Sequence, residues 1–210
     1  MYFLHKLKEY GFQPKSILDV GANKAEWTVF VKPIFPDARF FLIDAIDYEE
    51  LHDFEHLIAV VSDREKEVDF FQQGWTGDSY YQEDTGHYEY VSPTKRTTTT
   101  LDAIFPEDEK FELIKIDCQG AELDILEGAP RLLSQCEVIS LEVPFFTQYN
   151  KGTENFAGHI AYSHCEELDL RQWRHLMAMA ALDGEKNVST ETSESDRQAQ
   201  ESSRIGPRQI

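Results

Sequence analysis

The chain is short of basic residues, of cysteine, of long apolar runs and of the glycine-rich turns that cradle phosphates. Lysine and arginine number 20 against 39 acids, giving a net charge of −19. Binding a nucleic-acid backbone takes clustered cations, so no nucleic-acid partner is expected. No apolar stretch reaches the ~20 residues that a membrane span needs. Residues 1–10 alternate charge with apolar side chains and hold no small-residue cleavage site, so they do not read as a signal peptide. No membrane partner is expected, and the location is read as cytoplasmic. The three cysteines, Cys118, Cys136 and Cys165, are far apart and odd in number. They suit a reduced chain better than a disulfide framework. The sequence has no internal repeat.

What is present suits one α/β domain. A chain of 210 residues with 41% hydrophobic side chains can bury a core. Residues 2–10 carry apolar side chains at helical spacing, and Gly11 closes the pattern as a C-cap would. Residues 17–20 form an apolar first strand, and 24–34 a helix with Trp27, Phe30, Val31 and Ile34 on its buried face. Strands follow at 39–43 and 57–61, with a short helix at 48–56 between them, then a short strand at 68–72. Residues 74–93 are aromatic, polar and without period, long enough for a functional loop. An extended stretch at 97–100, a helical turn at 101–105 and a strand at 111–116 come next. A helix at 121–133, with Gly128 as a tolerated weakness, and a strand at 138–143 complete the alternation. Strands alternating with helices argue for a mostly parallel sheet covered on both faces. The methyl-rich pattern then ends. Residues 1–163 are read as the domain, 164–184 as an extra amphipathic helix, and 185–210 as a tail too polar to order.

Each main strand ends at or near an acid: Asp19, Asp44, Asp63, Asp117 and Glu142. In open α/β sheets ligands sit outside the carboxyl ends of the strands, so these acids mark a shared crevice. Asp44 stands roughly 20 residues beyond the turn after the first strand, where an acid holds a ribose diol. That turn, Gly21-Ala-Asn-Lys-Ala25, has one glycine, where a nicotinamide or flavin site wants three. A cofactor with a ribose and no phosphates fits better, and S-adenosylmethionine is the candidate. Asp19 would meet its ammonium group, and Gly21 would give clearance for its amino-acid moiety. Asn23, Ala45, Ser62 and Asp63 are expected to complete the cofactor site. An ordinary strand–turn–helix with a helpful glycine explains the first motif equally well.

A second motif narrows the choice. The run from Leu113 to Ala129, with Lys115, Asp117, Gly120 and Glu122 at fixed places, resembles the signature of FkbM-type methyltransferases. Leu18-Asp-Val-Gly-Ala-Asn23, Thr99-Thr-Leu-Asp102 and Ile139-Ser-Leu-Glu-Val143 fall in that family's order. The match runs over about residues 12–160. It implies a Rossmann-like class I fold using S-adenosylmethionine, with transfer to the hydroxyl of a small molecule or glycan. Three departures stand out: Ala25 for a usual glycine, Gln119 for a usual glutamate, and no closing β-hairpin after Tyr162. That last departure keeps an inactive or binding-only domain as the alternative.

Among the residues, Asp117 is the first choice for a catalytic group beside the methyl, with a helix N-cap as its competing role. Lys115 is read as a structural lysine on the opposite side of the pleat. Glu122 is read as an acid placed for the helix dipole. Asp117 and Glu142 offer carboxylates to a divalent cation, a thin basis on which no metal is assigned. The histidines, His87 and His159 among them, are read as showing no metal spacing such as His-x-x-x-His and receive no role. Trp75, Tyr80, Tyr81, Tyr88 and Tyr90 make residues 74–93 a candidate acceptor lid.

Overall fold

The computed structural model describes residues 2–74, 76–83 and 89–142. The stretch after Tyr162 that was expected to lack a closing hairpin, the extra helix at 164–184, the polar tail, Trp75, Tyr88, His87 and His159 all lie outside them. Helix α1 (Tyr2–Glu9) ends as its sequence foretells. Gly11 takes a φ of 94°, and the Phe12 amide donates back to the Leu7 carbonyl, which closes the last turn.

The central sheet has five strands in the order β3-β2-β1-β7-β8, all neighbours parallel. They are β1 (Ser16–Val20), β2 (Arg39–Asp44), β3 (Glu55–Ile58), β7 (Leu113–Ile116) and β8 (Val138–Leu141). A smaller sheet holds β4 (Val60–Val61), β6 (Thr94–Thr99) and β5 (Glu67–Phe70), with β5 antiparallel to β6. The two innermost strands are apolar on both faces because helices cover both. Alternation along them separates two cores. Leu18, Val20, Ile43, Ile114 and Ile116 face α3 (Leu101–Ile104), α4 (Glu122–Glu127) and α5 (Pro130–Leu133). Ile17, Phe40, Leu42 and Leu113 face α1 and α2 (Glu26–Val31).

Four expectations need correction. Strand 57–61 is two strands in two sheets, because the chain leaves the edge of the main sheet at Ala59, whose amide still donates to the Asp44 carbonyl. The helix after β1 starts only at Glu26, since residues 22–25 form the turn. Its phase therefore buries Thr28 and Val31 and leaves Phe30 45% exposed. The helix at 121–133 breaks into α4 and α5, with Pro130 opening the second and Asp102 accepting from the Arg131 and Leu132 amides at its start. Gly128 at the break is no weakness: a Cβ there would stand 2.2 Å from the Ser62 carbonyl oxygen. Finally, the short helix before β3 is a 3-10 turn over Glu49–Asp53, and His56 belongs to the strand. Among the described residues no helix is long and apolar enough to cross a membrane.

Candidate functional site

The chain runs outward from β1 through β2 to β3, then returns to place β7 on the other side of β1. The carboxyl ends of β1 and β7 are therefore the switch point of the sheet, where a crevice opens in folds of this kind. A cavity of about 500 Å³ lies there. Gly21, Asn23, Asp44, Asp117, Gln119 and Glu142 line its sheet side, and Thr76 to Tyr80 of the aromatic loop line the other.

Its floor is a buried charge cluster. Asp19, Lys115 and Asp117 share one face, because residues two apart on a strand point the same way and Asp19 lies beside Lys115 in the β1–β7 register. The reading that set Lys115 opposite Asp117 is thus corrected. Lys115 Nζ donates to the Gly21 carbonyl at 2.8 Å and lies 3.1 Å from Asp19 Oδ1 and 3.4 Å from Asp117 Oδ2. The contact with Asp19 Oδ1 is an ion pair whose angle misses hydrogen-bond geometry. Burial alone would lower the Lys115 pKa, but the charges of Asp19 and Asp117 outweigh it and hold it above its ordinary value. Asp19 is fully buried and takes the Thr28 hydroxyl at 2.7 Å. It lies beneath the cavity and does not line it, so the structure gives it Lys115 as partner in place of a ligand ammonium.

The turn above that floor is held by its neighbours. Gly21, at φ 73°, is pressed against β7: a Cβ would meet the Asp117 carbonyl oxygen at 1.9 Å. Its need for glycine thus comes from the neighbouring strand end as well as from its own φ. Asn23 and Ala25 also adopt positive φ, 48° and 57°. Asp44 clamps the turn, Oδ2 accepting from the Asn23 amide at 2.7 Å and Oδ1 from the Ile46 amide at 2.9 Å. Burial raises its pKa against those two bonds. Asp44 and Ala45 both line the cavity, and each Asp44 oxygen can accept a further hydrogen bond.

The rim carries the titrating pair. Gln119, at φ 52°, donates from Nε2 to Asp117 Oδ1 and to Glu142 Oε2, both at 3.0 Å. Asp117 does not cap the following helix: Ala121 holds that position without a side-chain bond. Burial would raise the Asp117 pKa, but its hydrogen bond with Glu142 and the charge of Lys115 lower it below the ordinary range. Glu142 moves the other way, to about 7, first through its hydrogen bond to Asp117 and then through burial. Of the two, Glu142 is the group that takes up and gives off a proton near neutral pH, while Asp117 stays ionised. Glu122 is buried and accepts from the Cys118 and Gly120 amides, so it ties the turn after β7 rather than merely facing a dipole.

Ser62 and Asp63 do not line the cavity. They join a polar cluster beside it, in which Ser62 Oγ meets the Tyr80 hydroxyl at 3.1 Å and Lys66 bonds Asp63 at 2.6 Å and Asp124 at 3.2 Å. Asp124 also accepts from the hydroxyls of Tyr80 and Tyr81, at 3.0 and 3.2 Å. The cluster docks the aromatic loop onto α4. Tyr90 stands 88% exposed and takes no part in it. Sequence reasoning missed Asp124, Lys66 and the cavity-lining Tyr48; only the Tyr80-Tyr81 pair gave a signal, and no motif marks its partners.

A family model described as the methyltransferase FkbM domain matches residues 19–173. The match extends past the point where the resemblance was expected to end, into residues that are not described. Among solved structures, methyltransferase FkbM from Methylobacillus flagellatus KT is similar, with a TM-score of 0.42 and 16% identity. That likeness covers 61% of this chain and 32% of the other, so the chain spans about a third of its length. No curated protein matches the chain. With a family model covering well over half of its residues, the chain belongs to the FkbM methyltransferase family.

Proposed function

We propose that this domain binds S-adenosylmethionine and passes its methyl group to a hydroxyl of a small molecule or glycan. The observation that carries the reading is the charge of the cavity. Among the described residues, Asp44, Asp78, Glu83, Asp117 and Glu142 line it, and no lysine or arginine does. Such a wall repels a pyrophosphate and suits a donor carrying an ammonium and a sulfonium. The residues fit the rest of that molecule too. Asp44 has lone pairs free for a ribose diol, and Ile46, Val60 and Val61 offer an apolar wall for a base.

The bound donor would supply an electrophilic methyl carbon. The chain supplies position and proton handling. Glu142, with a pKa near 7, takes the proton of an acceptor hydroxyl, while Asp117 stays charged beside Lys115. Tyr80 offers an aromatic face to a hydroxylated acceptor.

Incubation of the full chain with methyl-labelled S-adenosylmethionine and a panel of sugars and hydroxylated small molecules tests this. Label in a hydroxyl ether supports the reading. Donor binding with no transfer to any acceptor would favour the binding-only alternative, and absence of donor binding would end both.

A further inference from the structure

His52, in the 3-10 turn, and His56, in β3, stand at His-x-x-x-His spacing, which corrects the expectation that no histidines do. The 3-10 turn brings this pair together with Asp47. His52 Nε2 lies 2.7 Å from Asp47 Oδ1. The two imidazole rings stack, centroids 5.1 Å apart and 10° from parallel. One ligand atom from each of the three residues falls within 4.8 Å of the others.

From this geometry we propose a site for a zinc-class divalent cation, bound by Asp47, His52 and His56, that lies outside the methyl-transfer chemistry. The tautomer of His56 supports it. Its Nδ1 is 3.0 Å from the Phe54 carbonyl oxygen, which can only accept, so Nδ1 carries the hydrogen and Nε2 keeps the lone pair. A backbone carbonyl holding one imidazole nitrogen while the other faces the metal is the usual support of a histidine ligand. Nε2 of His56 has no hydrogen-bond partner among the described residues. Imidazole lone pairs lie in the ring plane, so the exposed His52 ring turns out of the stack to meet an ion held by His56.

The donor set chooses the ion. Two imidazoles and one carboxylate suit Zn²⁺ and its neighbours in the first transition row, whereas Mg²⁺ and Ca²⁺ want oxygen donors. Asp47 and His52 are more than half exposed, so remaining coordination positions go to water. The consequence reaches the cavity. Asp47 sits between Ile46 and Tyr48, both of which line it, so a bound ion fixes that stretch of wall to the start of β3.

Calorimetric titration of the full chain with zinc chloride and magnesium chloride at pH 7.5, after chelator treatment, tests the site. The expected result is one Zn²⁺ per chain, no Mg²⁺, and binding at least about tenfold weaker in His52→Ala and in His56→Ala. Melting curves of the unloaded variants show that they fold, and His5→Ala should bind zinc as the parent does. Zinc binding unchanged in both histidine variants, or no saturable zinc binding to the parent chain, would overturn the proposal. A loss of methyl transfer without a change in zinc binding bears only on the proposed function, so the two readings fail separately.

Discussion

The floor and the rim of the cavity are built from the same kinds of side chain and behave in opposite ways. On the floor, Asp19 and Lys115 are almost wholly buried and paired. On the rim, Asp117 and Glu142 face solvent in part and share one amide donor from Gln119. One acid and one lysine in a closed setting neutralise one another. Two acids and an uncharged amide in an open one leave a proton that moves near neutral pH. The difference lies in burial and in the charge of the partner, a lysine on the floor and a neutral amide on the rim, and it separates a structural charge pair from a chemical one.

The hardest test of that contrast is Lys115→Met. Asp19 would be left buried with only the Thr28 hydroxyl, and a broken buried pair costs about 3–5 kcal/mol. Urea unfolding should show a loss of that size, and a loss under ~1 kcal/mol would mean that the floor is not a coupled pair. Next comes Asp124→Ala, which strips the hydroxyls of Tyr80 and Tyr81 and one bond of Lys66 of their acceptor. This cluster is half-open, so a smaller loss is expected, about 1–3 kcal/mol, with faster amide exchange across residues 76–83.

The central strands were legible because a strand covered on both faces is a continuous apolar run, as in residues 17–20 and 113–116. The acids at the ends of β2 and β7 were legible for the same reason: the run stops at them. Their division of labour was not. Whether an acid lines a cavity or lies under it depends on register, and Lys115 meets Asp19 only through the pairing of β1 with β7, nearly a hundred residues apart in sequence. Gly128 read as a weak point because its reason is the Ser62 carbonyl on another element. The phase of α2 depended on how many residues the turn consumed, which propensity does not count. Gln119 was visible as a departure, but its two acceptors come from two different strands.

The rim makes a prediction in pH. Glu142 is raised from 4.5 to about 7 in the fold, so both states hold its proton below the unfolded value and the folded state alone holds it between the two. Stability attached to this group is therefore lost as pH rises from about 4.5 to 7, and it stays lost above. In Glu142→Gln the part of the melting-temperature decline that comes from this group should disappear between those pH values. An unchanged decline would remove Glu142 from the titrating pair. The smallest effect is expected at Ala25, which holds a positive φ where glycine would be unstrained, yet packs its methyl in the core. Relief of backbone strain and loss of buried methyl oppose each other, so Ala25→Gly should stay within about 1 kcal/mol of the parent.

Binding of S-adenosylmethionine to the full chain, followed by calorimetry, tests the central claim most directly. The account predicts saturable binding of one molecule per chain, with at least a tenfold loss, about 1.4 kcal/mol, in a folded Asp44→Ala variant. No binding at millimolar donor, or binding indifferent to Asp44, would contradict it.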